Sequence, residues 1–415
     1  MKPKNVGILS LGCPRNLVDS ENILASLDLK GHKITDMQDA EIGIVNTCGF
    51  IQEAKEESIE AIMDLISLKE NGRLKKIIVY GCLVERYSKE LKKELPEIDA
   101  LVGRVTLNHS PVRYALTPRH YAYLKICESC INNCSYCIIP KIKGKFSSIQ
   151  MRSAINRASL LDNQGVRELN IIGQDITGYG LDLYGKLRLA ELIRKILIKV
   201  KNIPWIRLLY LNPERVDTEL LELIRDEERI CKYVDLPIQH INNRILKMMN
   251  RKTSRKLICE LIDKIRKIIP HVAIRTSLIV GFPSESKKEF QELLSFIKEV
   301  KFDRLGAFIY SREEGTRAYD FSGQVSAKLK QERFSQIMSV QQDVSNEVNS
   351  RFLGKIIDVI IDEVKNGDYI ARSRFDAPEV DGLVYVQSGH KLKVGDLVRV
   401  EVRDCLEYDL VGRVI

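Results

Sequence analysis

Three thiols stand within one short stretch, Cys130-Ile131-Asn132-Asn133-Cys134-Ser135-Tyr136-Cys137, and their spacing, CxxxCxxC, constrains the fold more than any other feature of the chain. The motif follows an apolar run, residues 121–126, with the composition of a β-strand. A strand that delivers three thiolates to one loop must open onto space for an inorganic group. A closed structural zinc site takes four ligands, usually as two separated pairs. No further cysteine follows until Cys231. A four-iron cubane held at three corners, with one iron open, therefore accounts for the spacing better. A zinc knuckle with a distant fourth ligand is the competing reading.

The chain has 415 residues, enough for two to four domains at roughly 150 residues each. Its apolar content of 44% supports a large buried core. It contains no run of about 18 apolar residues, so no transmembrane helix and no membrane partner are expected. Residues 1–6 are basic and enter an ordinary strand rather than a signal-peptide core. The expected location is cytoplasmic. There, ten cysteines point to metal or redox chemistry rather than a disulfide framework. The net charge of +9 is uneven: residues 351–415 hold ten Lys+Arg and twelve Asp+Glu, a net −2 that leaves +11 on the rest. A basic body suits an acidic partner such as RNA and an acidic tail does not; ordinary solvated surface is the plain alternative.

Strand-then-cysteine units fill the N-terminal third. Residues 6–11 lead to Gly12-Cys13, residues 41–45 to Asn46-Thr47-Cys48-Gly49, and residues 76–80 to Gly81-Cys82. Between them, Asp19 or Ser20 is expected to cap a helix carrying Ile23, Leu24 and Leu27, and residues 52–70 read as an amphipathic helix ended by Asn71-Gly72. Alternating strands and helices imply a parallel sheet, and ligands gather beyond the carboxyl ends of such strands. Each cysteine sits at that end, beside glycine that admits close backbone approach. The pattern predicts a second cubane with three protein ligands and one open iron. Three buried apolar cysteines are the alternative.

Turn and extended signals at Asn108-His109-Ser110-Pro111 and Thr117-Pro118 mark a joint. It separates an N-terminal parallel α/β sheet domain, residues 1–108, from a central domain, residues 117–325. In the latter, strands at 121–126, 168–172, 205–209, 233–236, 272–278 and 304–308 alternate with helices at 187–200, 218–225, 255–268 and 287–300. That pattern is a partial (β/α)6 barrel with its site at the carboxyl ends of the strands. The loops there carry Gly173-Gln174-Asp175, Asn212-Pro213-Glu214, Pro237-Ile238-Gln239-His240 and Gly281-Phe282-Pro283. His240 on its own reads as a structural histidine. A linker helix spans residues 326–350. Short strands at 356–361, 369–373, 383–387, 397–402 and 408–415 then form a small OB-like β-barrel over 351–415. Phe375 and Tyr385 are candidates for stacking on bases, although acids balance the basic charge that a nucleic-acid site requires.

With Tyr136 before its last cysteine, the motif matches the signature of the radical S-adenosylmethionine superfamily. Over nearly its full length the chain resembles the radical S-adenosylmethionine methylthiotransferases, in the branch that modifies a ribosomal protein rather than tRNA. The resemblance is carried by Ser10-Leu11-Gly12-Cys13-Pro14-Arg15-Asn16-Leu17-Val18-Asp19-Ser20-Glu21, Val45-Asn46-Thr47-Cys48-Gly49-Phe50-Ile51, Thr117-Pro118-Arg119-His120-Tyr121-Ala122-Tyr123-Leu124-Lys125-Ile126, Tyr233-Val234-Asp235-Leu236-Pro237-Ile238-Gln239-His240 and Asp376-Ala377-Pro378-Glu379-Val380-Asp381-Gly382. The last barrel resembles a TRAM domain. The resemblance implies that Cys13, Cys48 and Cys82 hold an auxiliary [4Fe-4S] cluster and that Cys130, Cys134 and Cys137 hold the radical-generating one. It implies transfer of a methylthio group to the β-carbon of an aspartyl residue in small-subunit ribosomal protein twelve, a basic partner that an acidic C-terminal barrel would suit. The cosubstrate would be S-adenosyl-L-methionine. Tyr136, Gln174, Asp175 and Gly281 are candidate contacts for it, Gln174 and Asp175 at its amino end and Gly281 where adenine or ribose passes closely. Two positions depart from the family: Cys127, where a small non-cysteine residue is usual, and Ile149, where arginine is usual.

The implied chemistry attacks a C–H bond that is not acidic, for which a general base is of little use. It requires electrons from a low-potential donor such as flavodoxin or ferredoxin. A tRNA methylthiotransferase with the same clusters is the first rival reading. A non-catalytic zinc-dependent RNA-binding protein is the second.

Overall fold

The structure, a computed structural model, describes residues 3–104 and 112–415. The expected turn at Asn108-His109-Ser110-Pro111 and the boundary at residue 108 lie outside the described residues. Strands β1 (Asn5–Ser10), β2 (Lys33–Ile34), β3 (Ile42–Thr47), β4 (Lys76–Gly81) and β5 (Ala100–Val102) form a parallel sheet in the order β2-β1-β3-β4-β5. Val45, Ile77 and Val79 are buried on it against Ala61, Ile62, Leu65 and Ile66 of the helix Gln52–Glu70. The register pairs Ser10 with Asn46 and Thr47 with Gly81, so the strands end level and bring their cysteines to one edge.

The first helix differs from the expected one. It begins at Pro14, directly after Cys13, and runs to Leu29, using the favoured place for proline in a first turn. Asp19 and Ser20 lie inside it and cap nothing. Both are buried for another purpose: Asp19 pairs with Lys125 and, at 3.5 Å, with Lys143. Ser20 Oγ donates to Ser10 Oγ at 2.8 Å and accepts from Asn46 Nδ2 at 2.9 Å. Residue types that cap helices also serve buried polar contacts, and here the long-range contact takes them.

In the centre, β6 (Tyr121–Lys125) leads into an antiparallel ribbon of β7 (Cys127–Glu128) and β8 (Ser147–Ser148), which closes the cysteine loop at its base. Then come β9 (Glu168–Ile172), β10 (Trp205–Leu208), β11 (Tyr233–Asp235), β12 (Ala273–Val280) and β13 (Arg304–Ile309). β6, β9 and β10 are parallel neighbours, as are β11, β12 and β13, and a parallel bridge between Ile206 and Ile230 joins the two groups. The helices Leu189–Lys199, Thr218–Asp226, Arg255–Ile268 and Lys287–Val300 bury their apolar faces on this sheet. Ser286 and Glu289 form a capping box on the last of them. Among the described residues, no helix is long and apolar enough to cross a membrane.

A helix, Ala327–Ser350, leads to β14 (Ile356–Lys365), β15 (Asp368–Ser373), β16 (Val384–Gln387), β17 (Leu397–Cys405) and β18 (Leu410–Val414), which close a barrel in the order β14-β15-β16-β18-β17. This barrel seals the amino ends of the central strands. Ala377 and Ile360 pack among Tyr121, Trp205, Tyr233 and Ala273, the first residues of β6, β10, β11 and β12. Glu168, the first residue of β9, is fully buried and meets Arg207 Nε at 2.9 Å and Arg372 Nη2 at 2.7 Å. Arg372 also pairs with Asp362 at 2.6 Å, Arg304 with Asp376 at 2.6 Å and Arg275 with Asp381 at 3.1 Å. Asp362, Asp376 and Asp381 therefore face the body of the protein, so part of the acidity attributed to the tail's outer surface lies in this seam. Phe375 is half-buried at the seam with its ring 5.4 Å from that of Phe352, which takes it out of the base-stacking role; Tyr385 is exposed.

Candidate functional site

The N-terminal cysteines converge because their loops are packed on glycine. Gly12 has φ +82°, and a Cβ there would lie 2.8 Å from Cys48 Cβ and 3.1 Å from Cys48 Sγ. A Cβ on Gly49 would meet the Cys82 carbonyl at 2.9 Å. The three thiols share one electrostatic environment. Burial opposes ionisation of Cys13, but the Arg15 guanidinium beside it holds the thiol below its usual range. Burial pushes Cys48 up, and pushes Cys82 up to about 12 with added repulsion from Cys13 and Cys48. Thiols in this state become thiolates when a cationic metal centre compensates them. Gly12→Ala is expected to displace Cys48 and so lower the iron that this triad can take up on reconstitution, while sparing the other triad. Iron and sulfide analysis of reconstituted protein should show about half the wild-type content; full content would refute the packing argument.

The second triad occupies the loop between β7 and β8. Cys130 Sγ accepts from Asn132 Nδ2 at 3.1 Å and from Asn132 N at 3.4 Å. Cys137 N donates to Cys134 O at 3.2 Å, a tight turn pinned by Ser135, whose N donates to Met249 O at 2.9 Å and whose O accepts from Ala318 N at 2.8 Å. Burial pushes Cys130 up to about 11 and Cys137 up to about 12, and Cys134 adds repulsion to both. A four-iron cluster gives each thiolate its own iron, and three neighbouring thiols with N–H donors on sulfur fit that demand.

The two triads face one another across the barrel mouth. Cys82 packs with Ile138 and Ile142, just after Cys137. Arg15 Nη1 donates to Gly173 O at 3.1 Å, and its guanidinium lies 4.5 Å over the Tyr210 ring. Its charge acts on Cys137 as well as on Cys13. Buried ion pairs clamp the domains here: Asp19 with Lys125 and Lys143, and Glu313 with Arg86 at 2.8 Å and Lys55 at 3.0 Å.

The other candidates fall on two walls of this mouth. On one, Asp175 accepts from Asn132 Nδ2 at 2.6 Å and from Thr177 N at 3.1 Å and pairs with Arg215, so it adjoins the cysteine loop. Gln174 Nε2 donates to Glu128 Oε1 at 3.2 Å, and its own Oε1 has no partner among the described residues. On the other wall, Tyr136 packs with Ile245, Met249, Phe282 and Tyr310. Gly281 (φ +70°) precedes Phe282 there, and what approaches it closely is the stem of Lys330, 2.4 Å from where a Cβ would stand. His240 is buried, held down to about 4 by burial, and accepts from Asn242 N at 2.9 Å through Nδ1; it is a neutral structural residue. Cys127 is fully buried with Sγ on Asp175 O at 3.6 Å, and Ile149 packs on the core, its carbonyl accepting from Tyr179 Oη at 2.8 Å. Sequence reasoning missed Arg15, Asn132 and Arg215. Only the first two carry a local signal, their closeness to cysteines.

Residues 5–103 match the family described as "Uncharacterized protein family UPF0004", residues 124–297 the radical SAM superfamily and residues 353–415 the TRAM domain. A radical S-adenosylmethionine methyltransferase, TsrM, from Kitasatospora setae shares the fold, with a TM-score of 0.53 at 12% identity over 74% of this chain and 75% of that one. The fold and site thus define a radical S-adenosylmethionine enzyme with an N-terminal UPF0004 domain and a C-terminal TRAM barrel. Ribosomal protein uS12 methylthiotransferase RimO of Clostridioides difficile (strain 630) is 45% identical over 99% of this chain and 98% of its own. RimO of Caldanaerobacter subterraneus subsp. tengcongensis is 47% identical over 99% of both. The chain belongs to the RimO family of methylthiotransferases.

Proposed function

We propose that this enzyme places a methylthio group on the β-carbon of an aspartyl residue of uS12, small-subunit ribosomal protein twelve. It would use two [4Fe-4S] clusters, on Cys13, Cys48 and Cys82 and on Cys130, Cys134 and Cys137, with S-adenosylmethionine. The observation that supports the reading is the nearness of the two cysteine segments: Cys82 packs with Ile138 and Ile142, just after Cys137, and Arg15, two residues after Cys13, donates to Gly173 O at the mouth of the central strands. When bound, these groups supply one-electron chemistry for an unactivated C–H bond. The chain supplies binding and shielding. Asp175 and Arg215, an opposite-charge pair touching the cysteine loop through Asn132, suit the amino and carboxylate ends of S-adenosylmethionine. The unpartnered Oε1 of Gln174 offers an acceptor on the same wall, and Tyr136 and Gly281 line the wall opposite. The ion pairs of Lys125 and Lys143 with Asp19 and Glu128 hold the interdomain floor together. Electrons would come from a low-potential flavodoxin or ferredoxin.

Purified, anaerobically reconstituted enzyme should be incubated separately with uS12 and with tRNA, and both analysed by mass spectrometry. A mass gain on an aspartyl peptide of uS12 alone is expected. A gain on tRNA alone would overturn the reading.

A further inference from the structure

We propose that Arg15 receives the side-chain carboxylate of the acceptor aspartyl residue, in the gap between the two triads; the inference rests on the function proposed above. Arg15 belongs to the first turn of the helix Pro14–Leu29, yet its guanidinium leaves its own domain. It donates to Gly173 O at 3.1 Å, beyond the carboxyl end of β9, and covers the ring of Tyr210, beyond β10, at 4.5 Å. It therefore spans the mouth into which an acceptor must enter to meet both triads.

No carboxylate pairs with it directly. Its immediate neighbours are a carbonyl dipole, a ring face and the Cys13 thiol, with Glu128 acting on it from farther off. The carboxylates of the region are engaged elsewhere. Glu128 is held by Lys125 at 2.7 Å and Lys143 at 3.4 Å, and Asp19 by the same two lysines. Asp175 pairs with Arg215, and Asp235 pairs with Arg275 at 3.3 Å and accepts from Tyr210 N at 2.8 Å. Among the described residues, Arg15 forms no ion pair. A guanidinium engaged by no carboxylate keeps donors to spare, and its planar fork of five donors matches a carboxylate. The chemistry supplies the ligand: the β-carbon to be modified is bonded directly to the aspartyl carboxylate. Anchoring that carboxylate on Arg15 fixes the reacting C–H relative to both triads, which is where positioning contributes most to rate. A neutral asparaginyl side chain forfeits the charge-assisted pair.

The plainer role is that Arg15 only offsets the charge of the thiolates beside it, and the experiment separates the two. Wild-type, Arg15→Gln and Arg15→Lys enzymes are reconstituted anaerobically, and their iron content and electron paramagnetic resonance spectra recorded. Each is then titrated with uS12 and with uS12 carrying Asp→Asn at the modified position. Wild type should bind the aspartyl form roughly 10-fold more tightly or better. In Arg15→Gln that preference should fall to within about twofold, through weaker binding of the aspartyl form alone. Arg15→Lys, which keeps charge but loses the fork, should lie between and remains informative if the glutamine variant fails to fold. An unchanged Asp/Asn preference, or equal weakening toward both acceptors with altered spectra, overturns the role of Arg15. Wild-type enzyme that leaves uS12 unmodified overturns the underlying function instead.

Discussion

Cys134→Ala is expected to bring cleavage of S-adenosylmethionine down to background, whereas Cys13→Ala should leave cleavage measurable and eliminate the methylthiolated product. The division follows from where the thiols sit. Cys134 lies on the loop between β7 and β8, in a turn fixed by Ser135 on both faces, and shares that loop with Cys130, whose partner Asn132 leads to Asp175, a contact assigned to the cosubstrate. Cys13 caps a helix of the opposite domain and shares its environment with Cys48 and Cys82. A triad reduced to two thiols cannot hold its cluster with three corners. Each variant should therefore retain about half the iron, but a different half. Methionine released per enzyme in the absence of acceptor, followed by chromatography, measures the first activity, and the mass of uS12 measures the second. Equal loss of cleavage in both variants would contradict the proposed roles.

Glu168→Gln should lower stability by about 3–5 kcal/mol, because it leaves the buried guanidiniums of Arg207 and Arg372 without their shared carboxylate. Burial on its own would push this carboxyl up; Arg372 and Arg207 instead hold it below its ordinary range. The native pair's contribution is thus complete above the unfolded-state pKa and is lost as pH falls through the folded value. The reporter is built in. Trp205, the single tryptophan of the chain, lies in this seam with Arg374 6.0 Å from its ring. Its fluorescence should report an earlier transition in urea for the variant. A midpoint unchanged to within about 0.5 kcal/mol, the scale of ordinary surface substitutions, would show that the seam does not depend on this pair.

The strand-then-cysteine units were legible because each is local: an apolar run, a glycine and a thiol within ten or so positions fix a strand end. The order of parts and the closed C-terminal barrel were legible for the same reason. What escaped depends on distant partners. Asp19 and Ser20 look like caps until Lys125 and Asn46 are brought to them. Arg15 and Gly173 are 158 residues apart, and Glu168 and Arg372 are 204 apart. Charge along a sequence carries no sign of whether it will be solvated or paired. Asp362, Asp376 and Asp381 therefore read as an acidic exterior, although each pairs across the seam or within it. Phe375 read as a free platform for the same reason. The glycines beside the cysteines were noticed for their closeness to a bulky ligand, but Gly12 and Gly49 are needed first for the approach of one loop to another.

The seam also bears on how such a chain can change over time. Arg275 and Arg304 in the central part meet Asp381 and Asp376 in the final part, and Arg207 donates to the Arg374 carbonyl, so the two faces are complementary, as a key is cut to its lock. Exchanging the last sixty or so residues for those of a distant cousin would join mismatched halves. Each portion therefore constrains the substitutions open to the other.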